Sequence, residues 1–307
     1  LNQAGVYIAL YVNIEAGQAI RNDVAAVNRT IINEFRIMAK IYLPLEYRPS
    51  AQCLEAGMEE FSAFLSNWCL ELPKPLVVFM DEVDALIGDS LISVLRQLRS
   101  GYARRPRAFP QAMCLIGVRD IRDYRIFSDS SGNYVIGGSA FNIKEKSITL
   151  KNFTLDQVSR LYQQHTHDTG QIFATEAVRL VYEQTLGQPW LVNAIGRELC
   201  FEEHALPPSQ TIQPEHVRQA VEILIQRRDV HLDQLADKLT EPRVARVIQT
   251  ILLGEESVAS NDIPSEDQQY LIDLGLIRKG TQGLEIANPI YREVIPRELT
   301  VVQQEQL

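Results

Sequence analysis

Asp81 and Glu82 are adjacent carboxylates at the end of an unbroken apolar run, Leu76-Val-Val-Phe-Met80, that follows Pro75. Such a pair can serve phosphoryl transfer. The first acid can hold Mg²⁺, directly or through water, and the second can activate a water as general base. Left inside a cleft with nothing to bind, the two charges would be costly. A plainer arrangement fits the same residues: a strand leading into a helix N-terminus, where Asp and Glu are favoured. Asp84 is expected to cap or orient the loop rather than react. Arg119 follows the next apolar run, Ala112 to Gly117. On a parallel sheet it would emerge at the same edge as Asp81, a fixed cation beside developing phosphate charge. The alternative is an Arg paired with Asp120 or Asp123 in a surface loop. Gly187-Gln-Pro189-Trp190 lies between two helical stretches. Gly stops one helix and Pro opens the next, so alone this tetrapeptide is helix punctuation.

The elements that must position these residues follow from periodicity. A short apolar run bounded by Pro predicts a strand buried on both faces, as in a parallel sheet. Ligands of open α/β sheets sit at the carboxyl ends of such strands. Val6 to Val12 predicts another buried strand, ending in Asn13-Ile-Glu15. Helices are predicted over 18–41 and 53–70, the first with Ile20, Val24, Val27, Ile31 and Phe35 at three- and four-residue spacings. Asp89-Ser90 is predicted to cap a further helix that turns Leu91, Val94, Leu95 and Leu98 inward. The order β-α-α-β-α-β predicts a parallel sheet with helices on both faces. Ser128 to Ser139 reads as a loop and Ser147 to Leu150 as a strand that closes the sheet.

The character then changes. Helices are predicted at 155–167, 175–185, 189–204 and 214–231, with Thr154 and Thr175 as N-caps and Gly170 and Gly187 as stops. Helices at 232–239, 242–253 and 265–274, then a hairpin within 276–286, predict a winged-helix module. The domains are therefore placed at 1–150, 151–231 and 232–307.

The net charge of −9 argues against a broad nucleic-acid or membrane footprint and leaves room for a local patch. Cys53, Cys69, Cys114 and Cys200 are scattered without a CxxC pair, so neither zinc nor a disulfide framework is indicated, and Cys114 reads as a buried thiol. His165 and His167 do not share a helix face and make no metal pair. No apolar stretch is long enough to span a membrane, and no secretory signal is visible, so a cytoplasmic protein is expected. Arg96, Arg99, Arg104, Arg105 and Arg107 form a basic cluster. It fits a solvated loop, a nucleic-acid contact or an arginine supplied to a neighbour's site. The 265–274 helix carries Glu266, Asp267 and Asp273 and no Lys or Arg, so it would be repelled by phosphates. DNA binding by the winged helix is not favoured; protein interaction or regulation of the lid is, and for the chain as a whole a protein partner or self-association is expected.

Taken in order, Leu76-Val-Val-Phe-Met-Asp81-Glu82, Gly117-Val-Arg119-Asp120 and Thr185-Leu-Gly187-Gln-Pro189-Trp190-Leu-Val-Asn193 resemble the Walker B strand, the sensor strand and the GxP lid motif of P-loop NTPases of the AAA+ and STAND branch. In particular they look like bacterial AAA-like ATP-binding proteins of the STAND type, and the resemblance runs from Tyr7 to about Ile295. The resemblance implies a P-loop NTPase core, a helical lid and a winged helix, with ATP/ADP and Mg²⁺ as cofactors. It implies Asp81 as the Mg²⁺ ligand, Glu82 as base, Arg119 as γ-phosphate sensor, and Gly187 and Pro189 near adenine. ADP would hold the lid and winged helix closed, and exchange for ATP would release them. The departure is that no GxxxxGK[ST] occurs in the 307 residues. The expectation is a chain that begins just after its P-loop helix and, by itself, binds nucleotide poorly. The alternative is a non-enzymatic protein- or DNA-interaction module on a degenerate ATPase scaffold.

Overall fold

The computed structural model describes residues 1–53, 60–118, 120, 125–128, 133–136, 142, 146–227, 238–252, 264–280 and 283–305. Leu1–Ile148 and Thr149–Leu307 form two compact units.

In the first unit, β1 (Ile8–Asn13), β2 (Leu76–Asp81) and β3 (Ala112–Leu115) make a parallel sheet in that order. Asn13 lies beside Asp81, and Met80 beside Leu115. α1 (Val24–Tyr42) and α2 (Phe61–Glu71) connect β1 to β2, and α3 (Gly88–Gly101) connects β2 to β3. Side chains alternate across a strand, so every second residue faces the helices. Ile8, Leu10 and Val12 of β1 and Leu76, Val78 and Met80 of β2 are each at most 1% exposed. They share a core with Phe35, Phe61, Phe64 and Trp68. The Phe35 ring meets the other three edge-on, with centroids 5.2, 6.0 and 6.5 Å away, an arrangement that suits aromatic quadrupoles.

The other face differs. Tyr11, Phe79 and Cys114 lie in one row across the sheet. Tyr11 is 45% exposed and Cys114 is exposed, so the expectation of a buried thiol at Cys114 fails. Its neighbours Met113 and Leu115, one position either side, face the core instead. An apolar run does not say which of its two faces is covered.

Three further expectations are corrected. Asp89 and Ser90 do not cap α3; the Asp89 N–H donates to Asn22 Oδ1 at 3.1 Å, and the Ser90 hydroxyl donates to the Arg21 carbonyl. The cap comes from a residue distant in sequence, which local pattern cannot reveal. Asn133–Ile136 (β5), inside the Ser128 to Ser139 stretch read as a loop, pairs antiparallel with Arg125–Ser128 (β4). Four-residue strands are too short for alternation to register. Residues 146–150 are neither helix nor strand, and Ile148 and Leu150 are 72% and 91% exposed, so they close no sheet.

The second unit carries α4 (Leu155–Thr169), α5 (Thr175–Thr185), α6 (Pro189–Cys200), α7 (Pro214–Arg227), α8 (Pro242–Leu252) and α9 (Ser265–Asp273). The antiparallel pair β6 (Ile277–Lys279) and β7 (Leu284–Ile286) follows, then α10 (Pro289–Glu305). Thr154 and Gln157 form a reciprocal capping box at the start of α4. Thr175 is the first helical residue of α5 rather than its cap, which is Ala174. α10 was not expected. It is opened by Asn288, whose Oδ1 accepts the Tyr291 N–H at 2.9 Å, with Pro289 at the first position. α10 packs on α5 and α7. Val158, Val181, Ile195 and Val221 accordingly share one core with Val247, Leu271, Ile286 and Ile295.

Candidate functional site

The carboxyl ends of the three parallel strands are tied together by backbone hydrogen bonds. The Ile14 N–H donates to the Asp81 carbonyl (3.1 Å), the Ile116 N–H to Met80 (2.8 Å), and the Val83 N–H to Ile116 (3.1 Å). This brings Tyr11, Asp81, Glu82 and Asp84 to one edge. The Asp81 carboxylate is held on both oxygens. Oδ2 accepts the Tyr11 hydroxyl at 2.5 Å, and Oδ1 accepts the Glu82 N–H at 3.0 Å. The accepted proton binds Tyr11 more tightly and pushes its phenol up to about 12, with loss of water and the Asp81 charge adding to this. Asp84 Oδ1 accepts the Val118 N–H at 3.4 Å, so Asp84 orients the loop after β3, as expected from the sequence.

Glu82 adopts φ 58°, ψ 40°, the left-handed region that costs a residue with a Cβ. Its proton affinity is raised, first by loss of water and then by the charges of Asp84, Asp81 and Glu15. None of these four acids is ion-paired with Lys or Arg among the described residues. Among the described residues the edge thus gathers four carboxylates with no cationic partner. Among the described residues no three His, Cys, Asp or Glu side chains close a metal cage. Such a donor set suits Mg²⁺, which takes one or two carboxylates and keeps the rest of its shell for water and phosphate.

An open depression of about 440 Å³ lies beside the end of β1, lined by Asn13, Glu15, Ala16, Gln18, Ala19 and Glu34. Asp81 and Glu82 do not line it. Asp81 and Glu82 are brought together in the first unit, whereas Gly187 and Pro189 belong to the second. Arg119 lies outside the described residues. Gly187 has φ +74°, and a Cβ there would stand 1.8 Å from the Phe153 carbonyl oxygen. Pro189 opens α6, and Gln188 Oε1 caps it by accepting the Leu191 N–H at 2.6 Å. Helix punctuation therefore accounts for this tetrapeptide. Tyr11 and Glu15 were not singled out from sequence. Their place beside Asp81 depends on a strand register that neither segment encodes alone.

No family's sequence profile and no curated protein matches the chain. Solved structures do. A Walker-type ATPase of Pyrococcus abyssi superposes with a TM-score of 0.59 at 16% identity, covering 94% of this chain and 84% of that one. The fold is similar to that of a Walker-type ATPase. Cdc6p of Pyrobaculum aerophilum (TM-score 0.44, 18% identity, 98% and 81% covered) also matches. So does the RuvB Holliday junction branch migration motor of Thermotoga maritima (0.40, 14%, 76% and 74%). Likeness below 0.5 is too loose to carry an argument about fold. At 16% identity the first match establishes the fold alone: an α/β parallel-sheet core of the P-loop NTPase kind followed by helices. No helix among the described residues is long and apolar enough to cross a membrane.

Proposed function

We propose that this chain is the body of an ATP-binding protein of the AAA-like, STAND kind, one that hydrolyses ATP slowly and uses nucleotide state as a switch. The observation that supports this best is the acid cluster at the carboxyl edge of the parallel sheet, without an ion-pair partner among the described residues, with Glu82 held in a left-handed conformation beside Asp81. Strain of this sort concentrates at functional sites. In this reading Asp81, oriented by the Tyr11 hydroxyl, is the Mg²⁺ ligand. Glu82 polarises the attacking water, and its raised proton affinity makes it a better base than an ordinary carboxylate. Arg119 is the γ-phosphate sensor, and Gly187 and Pro189 lie on the adenine side. Mg²⁺, when bound with ATP, neutralises charge on the β- and γ-phosphates. Residues 151–231 act as the lid and 232–307 as the winged helix. The switch role rests on the family resemblance of the three motifs.

The phosphate cradle has to come from elsewhere, since the chain holds no GxxxxGK[ST]. Among the described residues β3 is paired with β2 on one side only, which leaves an edge for a further parallel strand. The coding sequence upstream of Leu1 and the intact mass of the native protein test this directly. A GxxxxGK[ST] at a strand-to-helix junction supports the reading; an upstream strand without the Lys and the hydroxyl overturns it. Calorimetry adds a second check. The 307 residues alone are expected to bind Mg-ATP weakly, and micromolar binding by them would overturn the assignment of the missing cradle. In the ATP-binding form, Glu82→Gln should lower turnover and spare binding. Equal loss of both would give Glu82 a structural role.

A further inference from the structure

From Ser90 to Val118 the chain contains no Asp or Glu, while five arginines fall within residues 96–107, in a protein of net charge −9. α3 turns Leu91, Val94, Leu95 and Leu98 inward. Arg96 and Arg99 are both exposed and lie three residues apart, one turn from each other on this helix. The chain then makes a single tight turn, Tyr102–Arg104. The turn is held by the Arg105 N–H on the Tyr102 carbonyl (3.3 Å) and the Ala108 N–H on Arg104 (2.9 Å). Phe109, 2% exposed, plugs its base against Gly101, where a Cβ would stand 2.1 Å from the ring.

The arginines are held by this scaffold. The Arg105 guanidinium stacks 3.7 Å from the centre of the Tyr102 ring, and its Nη1 donates to the Gln111 carbonyl at 3.2 Å. Arg104 sits 5.5 Å over Phe109. Among the described residues none of Arg96, Arg104, Arg105 and Arg107 is ion-paired with a carboxylate. The patch leads into β3 through Gln111, whose N–H bonds Leu76, the first residue of β2. It thus lies at the amino end of the sheet, opposite Asp81.

The helix dipole accounts for a cation in the last turn of α3 and no further. It explains neither arginines beyond the helix nor the missing acids. Four like charges, Arg96, Arg104, Arg105 and Arg107, without a carboxylate partner among the described residues call for an anionic partner. Guanidinium forks match phosphate oxygens two at a time. The Tyr102–Arg105 stack adds a flat surface on which a base can lie, and unpaired bases reach such a surface where duplex bases do not. An acidic peptide would meet the charges and leave the stack unused. We propose that this arginine face binds the sugar-phosphate backbone of a single-stranded nucleic acid. The site is independent of the nucleotide reading and is measured without nucleotide.

The test is fluorescence anisotropy with the full chain, a labelled oligo-dT strand and a duplex of equal length, over a series of NaCl concentrations. Contacts to three or four phosphates give a log–log salt slope of about −2 to −3 for the single strand. The triple variant Arg96→Gln, Arg104→Gln, Arg107→Gln is expected to weaken binding by about tenfold or more and to flatten that slope by about 2. The charge-matched triple Arg179→Gln, Arg218→Gln, Arg246→Gln should change affinity by less than about twofold if the effect is local. Tyr102→Leu keeps every charge and should weaken single-strand binding by about tenfold while sparing the duplex. Absence of salt-dependent binding by the wild-type chain overturns the proposal. Equal losses from both triples would reduce it to net charge. Displacement by polyglutamate as effective as by oligo-dT would assign the face to an acidic protein instead.

Discussion

Glu82→Gly is expected to leave the first unit more stable than Glu82→Ala does. Glu82 sits at φ 58°, ψ 40°. A residue with a Cβ pays roughly 1–2 kcal/mol for that conformation, and glycine pays nothing. Glycine's extra freedom in the unfolded chain returns about 0.4–1 kcal/mol of the gain. The difference left is about 0.5–1 kcal/mol in favour of Gly. Both variants remove the same charge, so relief of repulsion from Asp81, Asp84 and Glu15 cancels between them. In an ordinary helix or strand the order is reversed, Ala exceeding Gly by about 0.5–1 kcal/mol. Urea unfolding followed by Trp68 fluorescence in a Trp190→Phe background measures this, because Trp68 is fully buried in the first unit and Trp190 lies in the second. With a urea slope of about 1–3 kcal/mol per molar, the midpoints should differ by a few tenths molar. An Ala variant as stable as the Gly variant, or more so, would refute the argument that this position stores backbone strain. Stability gained here alongside turnover lost would be the usual trade at a catalytic position.

The charge of Glu82 has its own signature. Its proton affinity is raised above the ordinary 4.5 in the folded chain, so stability is highest below that value and is lost as pH rises through the raised one. Glu82→Gln should therefore be more stable than wild type at neutral pH, by a few tenths of a kcal/mol for so exposed a group, and equal to it below about pH 4; a constant gap in urea midpoints at both pH values would contradict this. Cys114 is exposed, whereas burial pushes the Cys53 and Cys69 thiols up to about 12. Native protein should thus show a fast thiol reaction with a chromogenic disulfide reagent that Cys114→Ser abolishes, and persistence of that phase would place the reactive thiol elsewhere. Gly187→Ala is expected to cost more than about 3 kcal/mol, because the new methyl meets the Phe153 carbonyl as well as an unfavourable φ; near-native urea stability of the second unit, read by Trp190, would show that the α5–α6 junction relaxes.

Much of the fold is legible in local pattern. The run Leu76 to Met80 forms the middle strand of a parallel sheet and delivers Asp81 and Glu82 to its carboxyl edge. Thr154 with Gln157, and Gly187 before Pro189, mark helix ends where the structure has them. These are effects of neighbouring residues on one another, so a linear sequence contains them whole. Other features were settled by partners far away in the chain. The cap of α3 is Asn22, and the hold on Asp81 is Tyr11, seventy residues earlier. Cys114 is exposed because its side of the sheet faces away from the helices, although its own run is apolar. The left-handed turn at Glu82 follows from the need to leave β2 while the Val83 N–H reaches Ile116 at the end of β3. Sequence alone determined which residues could carry charge to a strand end. Only the tertiary structure decided which of those charges meet and which go unpaired, because strand register, sheet face and long-range hydrogen bonds exist only once distant segments are side by side.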